Sequence, residues 1–240
     1  MSYSLNEFQP RERVLKNRQR MVRSVFGREM PVVILRQVHS DRIFKASRAL
    51  LADPPEGDGC VSAEPELPVA IQTADCLPVL LVDPQQRVVA AVHAGWRGTI
   101  QRIAAKAVHR MQTDFGSRPS RCLAVVGPAI RRCCYEVGEE VVEAFTKEFG
   151  HSAGFFCETP TSKATRANSQ CVDLAEACRS QLLEAGMAVE KIFTEGPCTA
   201  CEKELFFSHR ADAWKAGRMM SVIGIVGADV GRADVSSEIT

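Results

Sequence analysis

The sequence lacks an excess of charge of either sign, a long apolar run and an apolar leader. Lysine plus arginine number 30 and aspartate plus glutamate 29, leaving a net charge of +1 over 240 residues. Duplex nucleic-acid binders need a basic face to neutralise phosphates, so this balance argues against them, and against an acidic disordered chain. No stretch approaches the roughly 18 apolar residues of a membrane span; 77–82 is typical of the longest runs. The opening MSYSLNEFQPRERVLKNRQR is polar and charged, unlike a secretory signal. Internal repeats and low-complexity linkers are missing, and there are only five histidines. A soluble cytoplasmic protein that binds neither nucleic acid nor membrane is expected. What is present is a 45% hydrophobic content, ample for one core, and ten cysteines. Ten are too few for a disulfide scaffold of this length. In a reducing compartment they are core residues, metal ligands or nucleophiles.

Periodicity predicts a helix over 10–26, with Val14, Met21, Val22 and Val25 near helical spacing and Gly27 as the stop. The β-branched run 31–38 reads as a strand ending at His39, 52–59 as a loop, and 69–72 as a short strand. Two apolar runs, 77–82 and 87–93, flank Asp83-Pro84-Gln85-Gln86, which suits a type I turn. They predict an antiparallel hairpin buried on both faces. A helix over 99–115 is expected, with Thr99 as N-cap. Further helices are expected at 138–149 and 172–185, and strands at 122–126, 190–194 and 219–226, with a frayed tail from 228 to 240. Mixed strands and helices with a hairpin predict a single α+β (mixed α/β) domain rather than a doubly wound parallel sheet.

The hairpin carries a geometric consequence. If 82 faces 87, counting back along both strands sets Cys76 opposite His93, with Cβ atoms about 4.5–5.5 Å apart. Such a pair can share a metal or act as nucleophile and base. His39 ends another apolar strand and is the third candidate ligand. A His/Cys/His set leaves one tetrahedral position open, the pattern of catalytic rather than structural zinc. Asp75 is a candidate acceptor that orients a ligand, whereas Asp58, between two glycines, reads as a turn residue. In His93-Ala-Gly-Trp-Arg-Gly98 the glycines precede a helix start, where free N–H groups can hold an anion, and Arg97 adds a fork for phosphate. Cys198-Thr-Ala-Cys201 is a CxxC that lacks a partner pair, and Cys133-Cys134 reads as packing. Ser208 to Asp212 places polar groups after Leu205-Phe-Phe207, within reach of a cleft.

Together these segments resemble the YfiH-like laccase-domain family, described both as multicopper polyphenol oxidases and as purine nucleoside phosphorylases. The matching residues are Arg36-Gln-Val-His39, Gly57-Asp-Gly59, Thr73-Ala-Asp-Cys76, His93-Ala-Gly-Trp-Arg-Gly98, Gly127-Pro-Ala-Ile130 with Tyr135-Glu-Val-Gly138, and Leu205-Phe-Phe-Ser208 followed by Gly217-Arg218. The resemblance implies a zinc site at His39, Cys76 and His93, in an α/β/β/α layered domain that is usually monomeric. It implies phosphorolysis of adenosine, inosine, guanosine and methylthioadenosine, with adenosine deamination on the same fold. Cys76, His93, His39 and Asp75 are then the catalytic candidates. Gln37, Arg97, Tyr135 and Arg210 are the candidates for binding nucleoside and phosphate. Two departures stand out. Family members begin with an extra strand carrying a serine-threonine-arginine segment, and this chain starts after it. The family's tyrosine-arginine-arginine after Phe207 is His209-Arg210-Ala211 here.

In phosphorolysis an anion must be held in line with the anomeric carbon while charge on the departing base is stabilised. In deamination a zinc ion would activate water. A His₂Cys set also suits copper, as in a polyphenol oxidase (laccase), but multicopper chemistry needs more histidines than five. Two further readings are a cysteine hydrolase or peptidoglycan-precursor editing factor using Cys76 and His93, and a non-enzymatic metal- or partner-binding module.

Overall fold

The computed structural model describes residues 10–150, 154–158, 170–212 and 216–227. In chain order the helices and strands are α1 (Arg11–Phe26), β1 (Val33–Ile34), β2 (Ile43–Lys45), β3 (Gly59–Ser62), β4 (Val69–Thr73), β5 (Leu77–Asp83), β6 (Val88–Ala94), α2 (Trp96–Ile100), α3 (Ile103–Phe115), β7 (Leu123–Val126), β8 (Glu136–Val137), α4 (Glu139–Phe149), β9 (Phe156–Glu158), β10 (Gln170–Val172), α5 (Leu174–Glu184), β11 (Ile192–Phe193), α6 (His209–Asp212) and β12 (Met219–Ile223). The expected tail from 228 to 240 lies outside the described residues. No described helix is long and apolar enough to cross a membrane.

A six-stranded mixed sheet runs β11-β7-β5-β6-β3-β2, and a three-stranded mixed sheet runs β1-β4-β12. A third, antiparallel set runs β8-β10-β9. The central hairpin explains the layering. On β6, Val88, Ala90, Val92 and Ala94 face one core, built with Ile103, Ala107 and Met111 of α3 and Leu182 of α5. Val89 and Ala91 face a second core with Val33, Val69 and Ile71 of the smaller sheet. Side chains of a strand alternate between faces, so an apolar residue at every position requires a layer on both sides. The outer face of the smaller sheet, Ala70, Met220 and Val222, is covered by Met21 and Phe26 of α1. The order helix, sheet, sheet, helix is the α/β/β/α mixed single domain expected.

Several expectations need correction. The hairpin register is two residues from the one expected: Asp83 pairs with Val88 and Pro78 with His93. The turn lies at residues 84–87 rather than 83–86. Asp83 Oδ1 accepts from the amides of Gln85 at 2.9 Å and Gln86 at 3.2 Å, and Arg87 closes the turn in the left-handed region at φ 53°. Because the slip is even, Cys76 and His93 stay on the same face as diagonal neighbours. The helix expected over 99–115 is broken: α2 ends at Ile100 and α3 starts at Ile103, with Arg102 at φ 59° between them. Arg102 holds this left-handed turn while ion-pairing with Glu148 and Glu184. Thr99 is a buried residue inside α2, and Gly95 is the N-cap. The strand expected over 31–38 shrinks to Val33–Ile34 plus a bridge from Arg36 to Glu56. Strands expected at 190–194 and 219–226 shorten to Ile192–Phe193 and Met219–Ile223.

Leu81 lies at the centre of this arrangement, with no exposed surface, on the helix-facing side of β5. Leu81→Ala is expected to cost about 2–5 kcal/mol of stability, the range for a cavity left in a packed core. Urea unfolding should show a lower midpoint at unchanged slope.

Candidate metal centre and cavity

The chain crosses between the two sheets twice at the same end of the sandwich. One crossing joins β1 to β2 and carries His39; the other joins β4 to β5 and carries Cys76. His93 arrives from the end of β6, facing the gap between the sheets. The imidazole nitrogens of His39 and His93 and the Cys76 sulfur lie within 4.8 Å of one another. Cys76 Sγ is 3.8 Å from His39 Nε2, and the two rings meet edge to face with centroids 4.8 Å apart. Gly95 passes close behind them. A Cβ there would sit 3.0 Å from His39 Cδ2 and 3.1 Å from Cys76 Sγ, tight enough that a larger residue would press on the cluster.

One carboxylate fixes this geometry. Asp58, with no exposed surface, accepts from His93 Nδ1 at 2.8 Å. It also accepts from the backbone amides of Val38, His39 and Ser40 at 3.2, 3.0 and 2.6 Å, and from Ser40 Oγ at 2.7 Å. These bonds hold the His39 loop in its unusual backbone, with His39 at φ 60°. The glycines flanking Asp58 let the strand sink: a Cβ on Gly57 would meet the Phe44 ring at 2.7 Å and one on Gly59 would meet Ile43 Cγ1 at 2.8 Å. Asp58 is therefore the acceptor that orients a histidine, and the turn reading from sequence is corrected. The Gly-Asp-Gly pattern was the available signal.

The charges follow from these contacts. Burial would push the Asp58 carboxyl up, but hydrogen bonds from His93 and Ser40 outweigh it and hold it at about 2. Burial likewise opposes ionisation of Cys76, yet hydrogen bonds and charge from His39 and His93 bring the thiol down to about 6. His93 is raised to about 9, burial being outweighed by Asp58 and Cys76. Elsewhere burial pushes the Cys60 and Cys178 thiols up to about 12 and the Cys122 thiol up to about 11, as inert packing residues should be.

Two imidazoles, one readily formed thiolate and an acidic partner behind one imidazole are the donor set of a zinc or copper site. With Nδ1 of His93 engaged by Asp58, Nε2 is the nitrogen left for a metal. The residues present fit a metal ion.

The triad opens into a cavity of about 720 Å³. Its wall is basic: Arg18, Arg36, Arg210, Arg218 and His209 line it, with Asp75 the one carboxylate among the described lining residues. Tyr135, Gln37 and Arg210 are all in the lining, as their selection from sequence requires. Gln37 works through backbone: its amide donates to Gln72 O and accepts from Gln72 N, both at 2.7 Å, pinning the His39 loop to β4. Arg210 donates to the carbonyls of Cys134 at 3.1 Å and Glu136 at 2.8 Å, with its guanidinium 5.6 Å from the Tyr135 ring centroid. Asp75 holds the far wall: Oδ1 accepts from Thr199 Oγ1 and Oδ2 from the Arg210 amide, each at 2.6 Å. It touches neither histidine. Arg97 lies outside the cavity lining, stacked 4.2 Å over the Trp96 ring and 3.9 Å from Glu140. Arg18, Arg36 and Arg218 were not among the candidates from sequence: Arg36 and Arg218 sit in the Arg36-Gln-Val-His39 and Gly217-Arg218 segments, but only the fold brings them to one cavity with Arg18 of α1.

Comparison with known proteins shows the family. The family described as "Multi-copper polyphenol oxidoreductase laccase" matches residues 2–226. "Purine nucleoside phosphorylase YlmD" of Bacillus subtilis is 33% identical over 225 residues, covering 88% of this chain and 77% of that protein. "Purine nucleoside phosphorylase" of Deinococcus radiodurans is 38% identical over 212 residues, with the same coverage of 88% and 77%. "Adenosine deaminase RL5" from an unknown prokaryotic organism is 37% identical over 201 residues, covering 80% of this chain and 74% of that protein. The crystal structure of the Bacillus licheniformis hypothetical protein YfiH superposes with a TM-score of 0.84 at 32% identity, covering 93% of this chain and 85% of that one. With its sandwich, its Asp58-anchored triad and this match over nearly its whole length, the chain belongs to the YfiH-like, multi-copper polyphenol oxidoreductase laccase family.

Proposed function

We propose that this chain is a zinc-dependent purine nucleoside phosphorylase acting on adenosine, inosine, guanosine and methylthioadenosine. The observation that carries the reading is the cavity: about 720 Å³, with the triad on one side and an arginine-rich wall around it. Its size suits a nucleoside with phosphate. Its charge suits an anion rather than a phenol. Relatives named purine nucleoside phosphorylase support the choice.

In the reaction a phosphate oxygen attacks the ribose anomeric carbon. The bond to the purine nitrogen breaks, its electron pair leaves on the base, and the base takes up a proton. Arg210, Arg36 and Arg218 supply the charge that draws phosphate into the cavity and holds it for attack. Arg210 suits this role because its guanidinium is braced by the Cys134 and Glu136 carbonyls, so little freedom is lost on binding. Tyr135 offers a ring face to the purine, and burial pushes its phenol up, keeping it a hydrogen-bond donor. Gln37 and Asp75 keep opposite walls in register through their backbone contacts. A zinc ion held by His39, Cys76 and His93 would supply Lewis acidity toward an oxygen in the cavity.

Adenosine deamination is a second reading, supported by the relative named adenosine deaminase. The same open metal position would serve it. Copper oxidase chemistry ranks lower, since five histidines are few for several copper ions.

Purified protein given inosine should release hypoxanthine only when phosphate is present, with ribose 1-phosphate as co-product. Cys76→Ala should remove zinc from the triad and lower turnover more than about 100-fold, the scale for loss of one electrostatic stabiliser. Inosine and ammonia formed from adenosine without phosphate would favour deamination instead. Full turnover in metal-free protein, with a covalent Cys76 adduct, would favour a cysteine nucleophile.

Protons compete with metal for the triad, so zinc affinity should weaken as pH falls through about 9, where His93 takes up a proton, and further through about 6, where the Cys76 thiolate is lost. Asp58 stays ionised down to about 2 and does not contribute to that change. Asp58→Asn should weaken zinc binding about 10- to 100-fold at neutral pH, as measured by chelator competition, because it removes the charge behind His93.

A further inference from the structure

Beside the cavity, the fold brings four more cysteines together. Cys133 and Cys134 lie in the turn before Tyr135, and Cys198 and Cys201 in the turn after Pro197. Their sulfurs all lie within 4.8 Å of one another. Cys134 and Cys201 are 3.4 Å apart and Cys133 and Cys201 3.7 Å. None of the four is in a disulfide. The CxxC has no partner pair in its own stretch of sequence, and Cys133-Cys134 reads there as packing; the fold instead brings Cys133 and Cys134, more than 60 residues upstream, against it.

We propose that these four thiolates form a second metal site, a structural tetrathiolate zinc site separate from the triad. Four sulfurs about 2.3 Å from one zinc ion stand about 3.8 Å apart along the edges of a tetrahedron. The separations of 3.4 and 3.7 Å lie just below that value, and all four sulfurs stay within 4.8 Å of one another. These separations are far from the roughly 2.05 Å of a disulfide, and too small to enclose a multi-iron cluster. A second observation points the same way. The backbone amide of Arg131 donates to Cys198 Sγ at 3.4 Å. An amide aimed at a sulfur stabilises a thiolate rather than a thiol, and orients it. Four ligands close the coordination sphere, so the site is structural rather than catalytic.

The site's place in the fold gives it a purpose. The 197–202 segment is joined to the 129–131 segment by short contacts: Thr199 N to Ala129 O at 3.0 Å, Ala129 N to Pro197 O at 3.4 Å and Arg131 N to Cys198 Sγ at 3.4 Å. A metal bridging the two turns clamps them where the Cys134 carbonyl braces Arg210 and Thr199 holds Asp75. It fixes one wall of the cavity without touching substrate.

The test is a metal count on the full chain purified under reducing conditions and loaded with zinc. Elemental analysis and native mass spectrometry should give two zinc ions per chain. Cys133→Ser/Cys201→Ser should hold one. His39→Ala/Cys76→Ala should also hold one, and its cobalt-substituted form should show the intense sulfur-to-metal absorption of a four-thiolate site. The triad variant keeps the test decisive if the cysteine variant does not fold. One zinc in the wild type that is lost with the triad would overturn the proposal. So would an intact mass short by two or four hydrogens under non-reducing conditions, which would mark disulfides instead.

Discussion

The buried carboxylate of Asp58 is the contact on which the functional end of this sandwich depends. An unpaired charge with no exposed surface would be costly, and a carboxylate in that state would be neutralised. Asp58 avoids both outcomes by accepting from His93, from three consecutive amides and from the Ser40 hydroxyl. Each donor is thereby positioned. The amides belong to the crossing that carries His39, and the imidazole belongs to the end of the central hairpin. One group thus couples the smaller sheet's exit loop to the larger sheet's core strand. His39 and His93 cannot be separately misplaced while that carboxylate remains charged.

The strongly periodic elements were legible in the sequence. The two-sided burial of β5 and β6 follows from apolar residues at every position, and the stops of α1, α4 and α5 from glycines or a change in pattern. The triad was legible as well, through two strand-end histidines and a cysteine next to an apolar run. The register was not, because it depended on the conformation of Arg87, a residue whose type gives no hint of a left-handed backbone. The break between α2 and α3 was hidden for the same reason at Arg102. Short strands such as β2 and β10 have too few residues for any period to emerge. Asp58 could be seen only as a residue in a Gly-Asp-Gly turn, since its burial depends on Phe44 and Ile43 packing over the flanking glycines.

Ten cysteines in a chain without disulfides divide by environment rather than by spacing. Buried Cys60, Cys122 and Cys178 sit in apolar surroundings that suppress ionisation. Cys76 sits between two imidazoles and ionises readily. Cys133, Cys134, Cys198 and Cys201 come together from two distant turns, which only the fold reveals. The two candidate metal sites lie on either side of the Tyr135 and Arg210 wall, one open to the cavity and one closed.

The most direct test of a metal centre anchored by Asp58 is an anomalous difference map, measured at the zinc absorption edge from crystals of zinc-loaded protein. A peak bounded by His39 Nε2, Cys76 Sγ and His93 Nε2, with His93 Nδ1 still bonded to Asp58, is the expected result. A triad with no peak in fully loaded protein, or His93 turned away from Asp58 to bind metal through Nδ1, would contradict it.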